Sequence, residues 1–122
     1  MTRSAKFRFE DFDMWKQAAE VSDKLFVIAD KLAEMRKYRF SEQLNGAALS
    51  ITNNIAEGSG SFSDKDFANF LNISRRSVFE CANIIAMLNR SGIIDIEQKN
   101  DLFDRLDHVS SMITNFRKRL IK

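Results

Sequence analysis

Apolar residues recur along the chain at intervals of three and four, the period of an amphipathic α-helix, in four successive segments. One apolar position from each segment is Leu25, Ile51, Val78 and Leu106. The 122-residue chain has no proline and four glycines, so little interrupts this pattern. We predict helices at about residues 13–36, 41–57, 63–90 and 95–121. Their short connections favour an all-α fold, an antiparallel up-down-up-down four-helix bundle formed by residues 1–122 as one domain.

Polar and small residues mark the expected ends of these helices. Ser41 and Ser63 are predicted to cap the start of the second and third helices. Gly58 is predicted to end the second helix. Asp95, with Gln98 three residues later, resembles the capping box of a fourth helix.

Residues 1–12 precede the first helix and are predicted to form a short extended arm. Phe7 and Phe9 alternate there with charged residues, which is the period of a strand with one apolar face. Two exposed phenylalanines are costly in water, so the arm has to cover them. Either it folds back on its own bundle, or it docks on a neighbouring copy of the chain.

The third helix carries a second apolar line, about 120° around the helix from its core line. The residues of this line are Ala68, Arg75, Phe79, Ala82 and Ala86. We interpret it as a subunit interface, the usual meaning of a second apolar patch on a small domain. The alternative is that these are scattered surface residues of a monomer.

The second helix has a line of small and polar residues opposite its apolar stripe: Gly46, Ser50, Asn53 and Glu57. Glu57 lies near the helix C-terminus, where the helix dipole disfavours a carboxylate. We therefore expect Glu57 to find a partner, either Arg75 or Arg76 or the N–H groups at the start of the third helix. This structural role at the turn is favoured over a ligand contact.

The net charge of +2 conceals two basic ends. Together the termini carry seven positive charges, which leaves 2 − 7 = −5 for the rest of the chain. These residues are Arg3, Lys6, Arg8, Arg117, Lys118, Arg119 and Lys122. In an up-down bundle both groups reach the same end of the molecule, where several copies would form a surface for a polyanion. The alternative is that residues 117–119 only complement the dipole of the last helix.

Candidate catalytic chemistry is sparse. The single histidine, His108, lies off the apolar face of the fourth helix and is expected on the surface, which rules against a di-metal carboxylate site. The single cysteine, Cys81, follows the core line and is expected to be a buried thiol. We predict no catalytic residue, metal site or cofactor. No apolar run approaches the length of a membrane span, so we expect a cytoplasmic protein that does not contact a membrane.

Several segments of the chain resemble one family. They are residues 12–18, 41–44, 47–51, 65–67, 70–71 and 92–94, and above all Asn-Ile-Ala-Glu-Gly at 54–58. Of this last run, Asn54, Glu57 and Gly58 form the motif at the turn. The chain is similar to bacterial four-helix-bundle proteins encoded in intervening sequences of 23S ribosomal RNA genes. The resemblance implies a homopentameric ring without known enzyme activity, related to retroelement accessory proteins that bind reverse transcriptase and nucleic acid.

Our leading hypothesis is a non-catalytic homo-oligomeric scaffold, pentameric by resemblance, that contacts RNA or DNA weakly through its basic ends. The alternative is an adaptor that recruits a protein partner such as a polymerase or reverse transcriptase. In the adaptor, Phe7 and Phe9 of the arm and the outer face of the third helix would matter more than charge. An enzyme would require a metal or cofactor to copurify.

Overall fold

Short connections join four long helices in a computed structural model of the chain, which describes residues 4–122. A 3₁₀ helix at Arg8–Asp11 precedes α1 (Asp13–Glu34), α2 (Tyr38–Ser59), α3 (Asp64–Arg90) and α4 (Ile96–Leu120). Each α-helix packs against the next, and α4 also packs against α1. Connections this short force successive helices to run antiparallel. The predicted all-α bundle is confirmed. Within these residues, no helix combines the length and apolar character needed to cross a bilayer.

The predicted apolar stripes meet in one core. Fully buried side chains come from all four α-helices, namely Leu25, Leu32, Leu44, Ile51, Ile55, Leu71, Ile85, Leu88, Leu102, Leu106 and Ile113. Burying one such side chain contributes about 1.5–3 kcal/mol relative to leaving it exposed. The core therefore determines which side of each helix faces solvent, and so which residues are available for binding.

The start of α2 differs from the sequence prediction. The chain reverses direction at Arg36, whose φ of 62° is left-handed, and the Lys37 N–H donates to the Leu32 carbonyl at 2.8 Å. This is the Schellman end of a helix, with arginine in the place that glycine usually takes. The tight reversal lets α2 begin at Tyr38. Ser41 consequently lies inside the helix, buried, and its hydroxyl donates to the Ala29 carbonyl of α1, so its predicted role as N-cap was wrong.

The predicted end of α2 was also wrong, because the helix continues through Gly58 to Ser59. The caps of the last two helices are confirmed. The Asp66 N–H donates to the Ser63 hydroxyl at 3.1 Å, and the Gln98 N–H donates to the Asp95 carboxylate at 2.8 Å.

The arm is not extended over its whole length. Residues Arg8–Asp11 form the 3₁₀ helix, and the residues on either side of it, Phe7 and Phe12, have extended backbone. The Phe9 ring lies edge-on to Trp15 of α1 at 5.3 Å between ring centroids. The arm therefore folds back on its own bundle, the first of the two alternatives.

Candidate interaction surfaces

An apolar groove runs between α3 and α4 on the outside of the bundle. Phe79 is 57% exposed, Ala82 and Ala86 are half-buried beside it, and half-buried Phe103 lies opposite on α4. The space between Phe79 and Phe103 measures ≈ 140 Å³, enough for one aromatic or branched side chain. We call this the α3–α4 face.

Arg75 borders the α3–α4 face in an incomplete environment. Its guanidinium lies over the Phe79 ring, 4.9 Å from the centroid, while its Nε is buried without a hydrogen-bond partner. It is the one buried side-chain nitrogen or oxygen left unpaired in the part of the chain that the structure describes. An unpaired buried donor costs about 1–3 kcal/mol. A second cation, Lys99, lies 4.8 Å from the centroid of Phe103, so both aromatic rings of the groove carry a positive charge.

Ala68 does not belong to this exposed line. It is buried, and its carbonyl accepts a hydrogen bond from Arg117 Nε of α4 at 3.1 Å. The last turns of α4 cover the beginning of α3, whereas the part near Phe79 stays open. Helical period alone places Ala68 and Ala86 on the same side, and only the packing of α4 separates them.

Phe7 and Phe9 of the arm have different environments. Phe9 is half-buried against Trp15, while Phe7 is 66% exposed and only stacks on Phe9, with ring centroids 6.2 Å apart. A shallow groove beside them is lined by Ala56 and Glu57 of α2. Phe7 therefore remains available for contact with another molecule, and Phe9 is largely used within the chain.

Two of the basic residues predicted to contact nucleic acid form hydrogen bonds within the chain instead. Arg8 donates from Nε and Nη2 to the Ser59 carbonyl, at 3.1 and 2.9 Å, and lies over the rings of Phe12 and Phe67. It thus satisfies a carbonyl at the C-terminus of α2, which would otherwise lack a partner. Arg117 Nε donates to the carbonyl of Ala68 near the start of α3 and so ties the last turns of α4 to that helix.

The remaining basic residues are closer to solvent. Lys6 forms an exposed ion pair with Asp11 at 3.0 Å, and the hydrogen bond and charge of Asp11 raise the pKa of Lys6. Arg119 lies over Phe116 at 5.1 Å, and Lys118 is exposed. Arg3 lies outside the described residues.

Aromatic contacts bring both basic groups to one end of the bundle, as the topology predicts. The ring of Phe116 lies 5.1 Å from that of Phe12 and 5.4 Å from that of Phe67, joining the end of α4 to the starts of α1 and α3. Asp11 and Asp13 line the same surface groove as Arg119, however. This end is therefore of mixed charge, and fewer free cations are available there than the sequence suggests.

The family motif at the turn forms part of the contact between α2 and α3. The Asn54 side chain donates to the carbonyl and hydroxyl of Ser50, and the Ser77 hydroxyl of α3 donates to the same Ser50 hydroxyl at 2.8 Å. At Gly58, an added Cβ would lie 2.8 Å from Phe67 Cδ1 and 2.8 Å from Phe70 Cβ. Asn54 thus holds the serine that bonds α3, and Gly58 allows the two helices to approach closely.

The Glu57 carboxylate forms no hydrogen bond or ion pair within residues 4–122, contrary to our expectation, although the Glu57 backbone carbonyl accepts from the Gly60 N–H. Its side chain is exposed at the surface of α2, while Arg75 lies on the opposite flank of α3 over Phe79. Gly46 in the same line has no atom within 4 Å of an added Cβ, so it faces open space. Of this line, only Ser50 reaches α3.

The side chains considered for chemistry are placed as expected. Cys81 is fully buried, and burial, with a smaller contribution from the charge of Glu80, raises its pKa to about 12. It is therefore an inert thiol at neutral pH. His108 is exposed on α4. The described residues contain no group of three or more histidine, cysteine, aspartate or glutamate side chains that could hold a metal ion.

Sequence reasoning missed a surface between α1 and α2 that combines apolar and acidic side chains, which we call the α1–α2 face. Its residues are Ala19, Asp23, Phe26 and Asp30 of α1 and Leu49 and Ala56 of α2. Leu49 is 50% exposed and Phe26 is half-buried. The signal was present in the sequence, since Leu49 lies off the apolar stripe of α2, but a single leucine outside a stripe is common on protein surfaces.

Comparisons with known proteins agree with this fold. The model of a family described as "23S rRNA-intervening sequence protein" matches residues 10–115. The chain also superposes on a crystal structure of a protein of unknown function from the S23 ribosomal protein family of Bacteroides thetaiotaomicron VPI-5482. The TM-score is 0.81 at 23% identity, over 86% of this chain and 98% of that one. No curated protein sequence matches the chain.

Proposed function

The chain belongs to the 23S rRNA-intervening sequence protein family, and we propose that it is a non-catalytic scaffold that assembles with copies of itself through its α3–α4 face. The observation that carries this proposal is the pairing of half-exposed Phe79 with Arg75, whose buried Nε has no partner. A neighbouring copy would cover the Phe79 side chain and supply a hydrogen-bond acceptor for the Arg75 guanidinium. The family resemblance implies five copies in a ring.

The energetics favour covering this face. Transfer of a phenylalanine side chain from water to a buried site contributes about 1.5–3 kcal/mol. Buried aromatic and arginine side chains are the residues that most often dominate protein interfaces. Phe79, Phe103 and Arg75 place both kinds within one groove.

The substitution Phe79→Glu tests the assembly. It places a charge in the groove, so we expect the solution mass measured by light scattering to fall to that of one chain, with helicity by circular dichroism retained. Ile73→Glu is the matched control, because Ile73 is 45% exposed on the flank of α3 that faces α2, and this variant should assemble normally. A wild-type monomer, or a Phe79→Glu variant of unchanged mass, would contradict the proposal.

The proposed scaffold also contacts RNA or DNA weakly at its basic end. Lys118 and Arg119 support this, since they lie in the last turn of α4 and form no ion pair within residues 4–122. Repeated around an oligomer, they give a surface whose affinity for a polyanion falls steeply with salt.

The test should leave Arg8 and Arg117 intact, because both hold the fold together. We expect Lys118→Gln with Arg119→Gln to weaken binding to a structured RNA and to reduce its salt dependence. Lys24→Gln with Lys31→Gln removes the same charge from the exposed side of α1 and should leave binding unchanged. Equal binding by the two double variants would exclude the basic end as the contact surface.

An adaptor for a protein partner is the second candidate. The observation favouring it is that Phe62, in the connection between α2 and α3, is fully exposed, and Phe7 of the arm is 66% exposed. Large exposed apolar side chains mark a contact site when they form a contiguous patch. Capture of a partner that survives nuclease and high salt, and is lost with Phe62→Ser and Phe7→Ser, would support this function over RNA binding.

A further inference from the structure

We infer that the α3–α4 face of one copy is covered by the α1–α2 face of the next, with Asp23 of that next copy paired to Arg75. This inference rests on the proposed assembly and names the surface that completes it. It also explains why neither residue has an ion-pair partner within the described part of its own chain.

The two faces are complementary in charge. Arg75 and Lys99 lie over the aromatic rings of the α3–α4 face, where Asp107 is the one carboxylate lining the groove. The α1–α2 face carries Asp23 near the level of Leu49 and Asp30 about two helical turns further along α1. Apolar groups on each face would bury one another while opposite charges meet at the edges, the arrangement of a specific interface.

Hydrogen bonds between helices show which residues lie at the same level along the bundle. The Ser22 hydroxyl of α1 donates to the carbonyl of Ala48, and the Ser74 hydroxyl of α3 donates to that of Ile51. Ala48 precedes Ile51 by three residues, and α2 and α3 run in opposite directions. Asp23, next to Ser22, therefore lies within about one helical turn of the level of Phe79 and the guanidinium stacked on it.

The second pair of charges is matched in the same way. Asp30 lies seven residues beyond Asp23 on α1, a rise of about 10 Å towards the other end of the bundle. Arg117 Nε donates to the carbonyl of Ala68, which places these two residues at about the same level. Lys99 precedes Arg117 by 18 residues, and Ala86 follows Ala68 by 18 residues on the antiparallel helix, so Lys99 lies near the level of Ala86. Ala86 is seven residues beyond Phe79. When Asp23 meets Arg75, Asp30 thus meets Lys99.

This match in level is what a closed ring requires. Copies related by rotation alone are not displaced along the ring axis, so contacting residues of neighbours lie at similar heights when the bundles stand along that axis. Contact between two different faces closes into a ring when the rotation from one copy to the next divides a full turn, and otherwise gives an open filament, whereas contact of a face with itself stops at a dimer. Self-contact of the α3–α4 face would also bring Arg75 and Lys99 of one copy against the same cations of another.

A charge exchange tests the pairing. We expect Asp23→Arg and Arg75→Asp to reduce the solution mass to that of one chain when made singly, and to restore the wild-type mass when combined. Glu20→Arg changes the exposed carboxylate almost one turn earlier on α1, about 60° around the helix from Asp23, and should assemble normally if Arg75 pairs with Asp23 specifically. Circular dichroism confirms that each variant is folded.

The outcomes separate the two proposals. A wild-type monomer overturns the assembly itself. A wild-type oligomer whose mass is unchanged by Asp23→Arg, or not recovered in the double exchange, overturns the Asp23–Arg75 pairing and leaves assembly through Phe79 standing.

Cross-linking gives an independent measurement that does not depend on dissociation. Leu49→Cys combined with Phe79→Cys should give, on oxidation, a ladder of covalent multimers that ends at the ring size, while each single variant should give none. Native Cys81 is fully buried and does not take part. Covalent dimers from Phe79→Cys alone would indicate self-contact of the α3–α4 face and contradict the inference.

Discussion

Two glycines of α2 show how differently one residue type serves in the same helix. Gly58 permits the close approach of α3, since an added Cβ would lie 2.8 Å from atoms of Phe67 and Phe70. Gly46 faces open space. Glycine destabilises a helix interior at either position. At Gly58 the close packing of α3 offsets this cost, whereas Gly46 shows no packing role within the described residues.

Alanine substitution should therefore have opposite effects at the two positions. We expect Gly46→Ala to raise the free energy of unfolding by about 1 kcal/mol through helix propensity. Gly58→Ala should lower it by about 1–3 kcal/mol, because the phenylalanines have to shift. Chemical denaturation of both variants on the same background measures the difference, and equal stabilisation would contradict the packing role of Gly58.

Burial of Cys81 predicts a pH dependence. Its pKa is raised to about 12 in the folded protein, so folding favours the protonated thiol. This contribution to stability is fully present below the thiol's unfolded pKa of 9.0 and is lost as the pH rises towards 12. A thiol reagent at neutral pH should label Cys81 slowly in the native protein and rapidly in denaturant. Rapid labelling of the native protein would show that the thiol is accessible.

The elements are held at their ends by side chains from elsewhere in the sequence. Arg8 of the arm binds the carbonyl of Ser59 at the end of α2 and covers Phe67 at the start of α3. Ser41 and Ser22 donate from α2 and α1 to backbone carbonyls of the facing helix. The contacts of Arg8 fix the arm against the ends of α2 and α3, and the two serine hydrogen bonds set the level of α1 relative to α2 along the bundle.

We expect Arg8→Gln to lower the free energy of unfolding by about 1 kcal/mol, since it removes two hydrogen bonds to one carbonyl. Lys6→Gln is the control, because Lys6 forms only an exposed ion pair and such pairs contribute little. Thermal unfolding followed by circular dichroism measures both. A larger effect at Lys6 would mean that charge, and not the bond to Ser59, holds the arm.

The four helices bury one shared core but leave the apolar groove between α3 and α4 uncovered. Phe79 and Arg75 lie in a part of the surface that α4 does not cover, although it covers the same flank of α3 at Ala68. The proposed assembly through this groove would couple folding to association, because a neighbour binds only the folded chain.

The melting temperature of the wild-type protein should therefore rise with protein concentration. Phe79→Glu should melt at a temperature that does not depend on concentration, and Ile73→Glu should behave as the wild type. Scanning calorimetry over a hundredfold range of concentration makes the comparison. A concentration-independent wild type would contradict assembly at this face.

The number of helices and the identity of the core follow from the sequence alone. Each helix has apolar residues at the helical period on one side, and one buried residue from each is Leu25, Ile51, Ile85 and Leu106. In a chain of this size, these one-sided stripes can be buried only by packing against one another in a single core. The caps at Ser63 and Asp95 are also local, since each depends on residues three positions apart. Local patterns of this kind are readable without the fold.

Tertiary structure decided which residues outside the core were buried, paired or exposed. Ala68 and Ala86 share a flank of α3, yet only Ala68 is covered, by Arg117 of α4. Serine is a residue type favoured at N-caps, but the Ser41 hydroxyl donates instead to the Ala29 carbonyl of α1. Each outcome depends on a group distant in sequence. Helical period could therefore indicate the flank of α3 that carries the proposed interface, while the packing of α4 determined how much of that flank remained open.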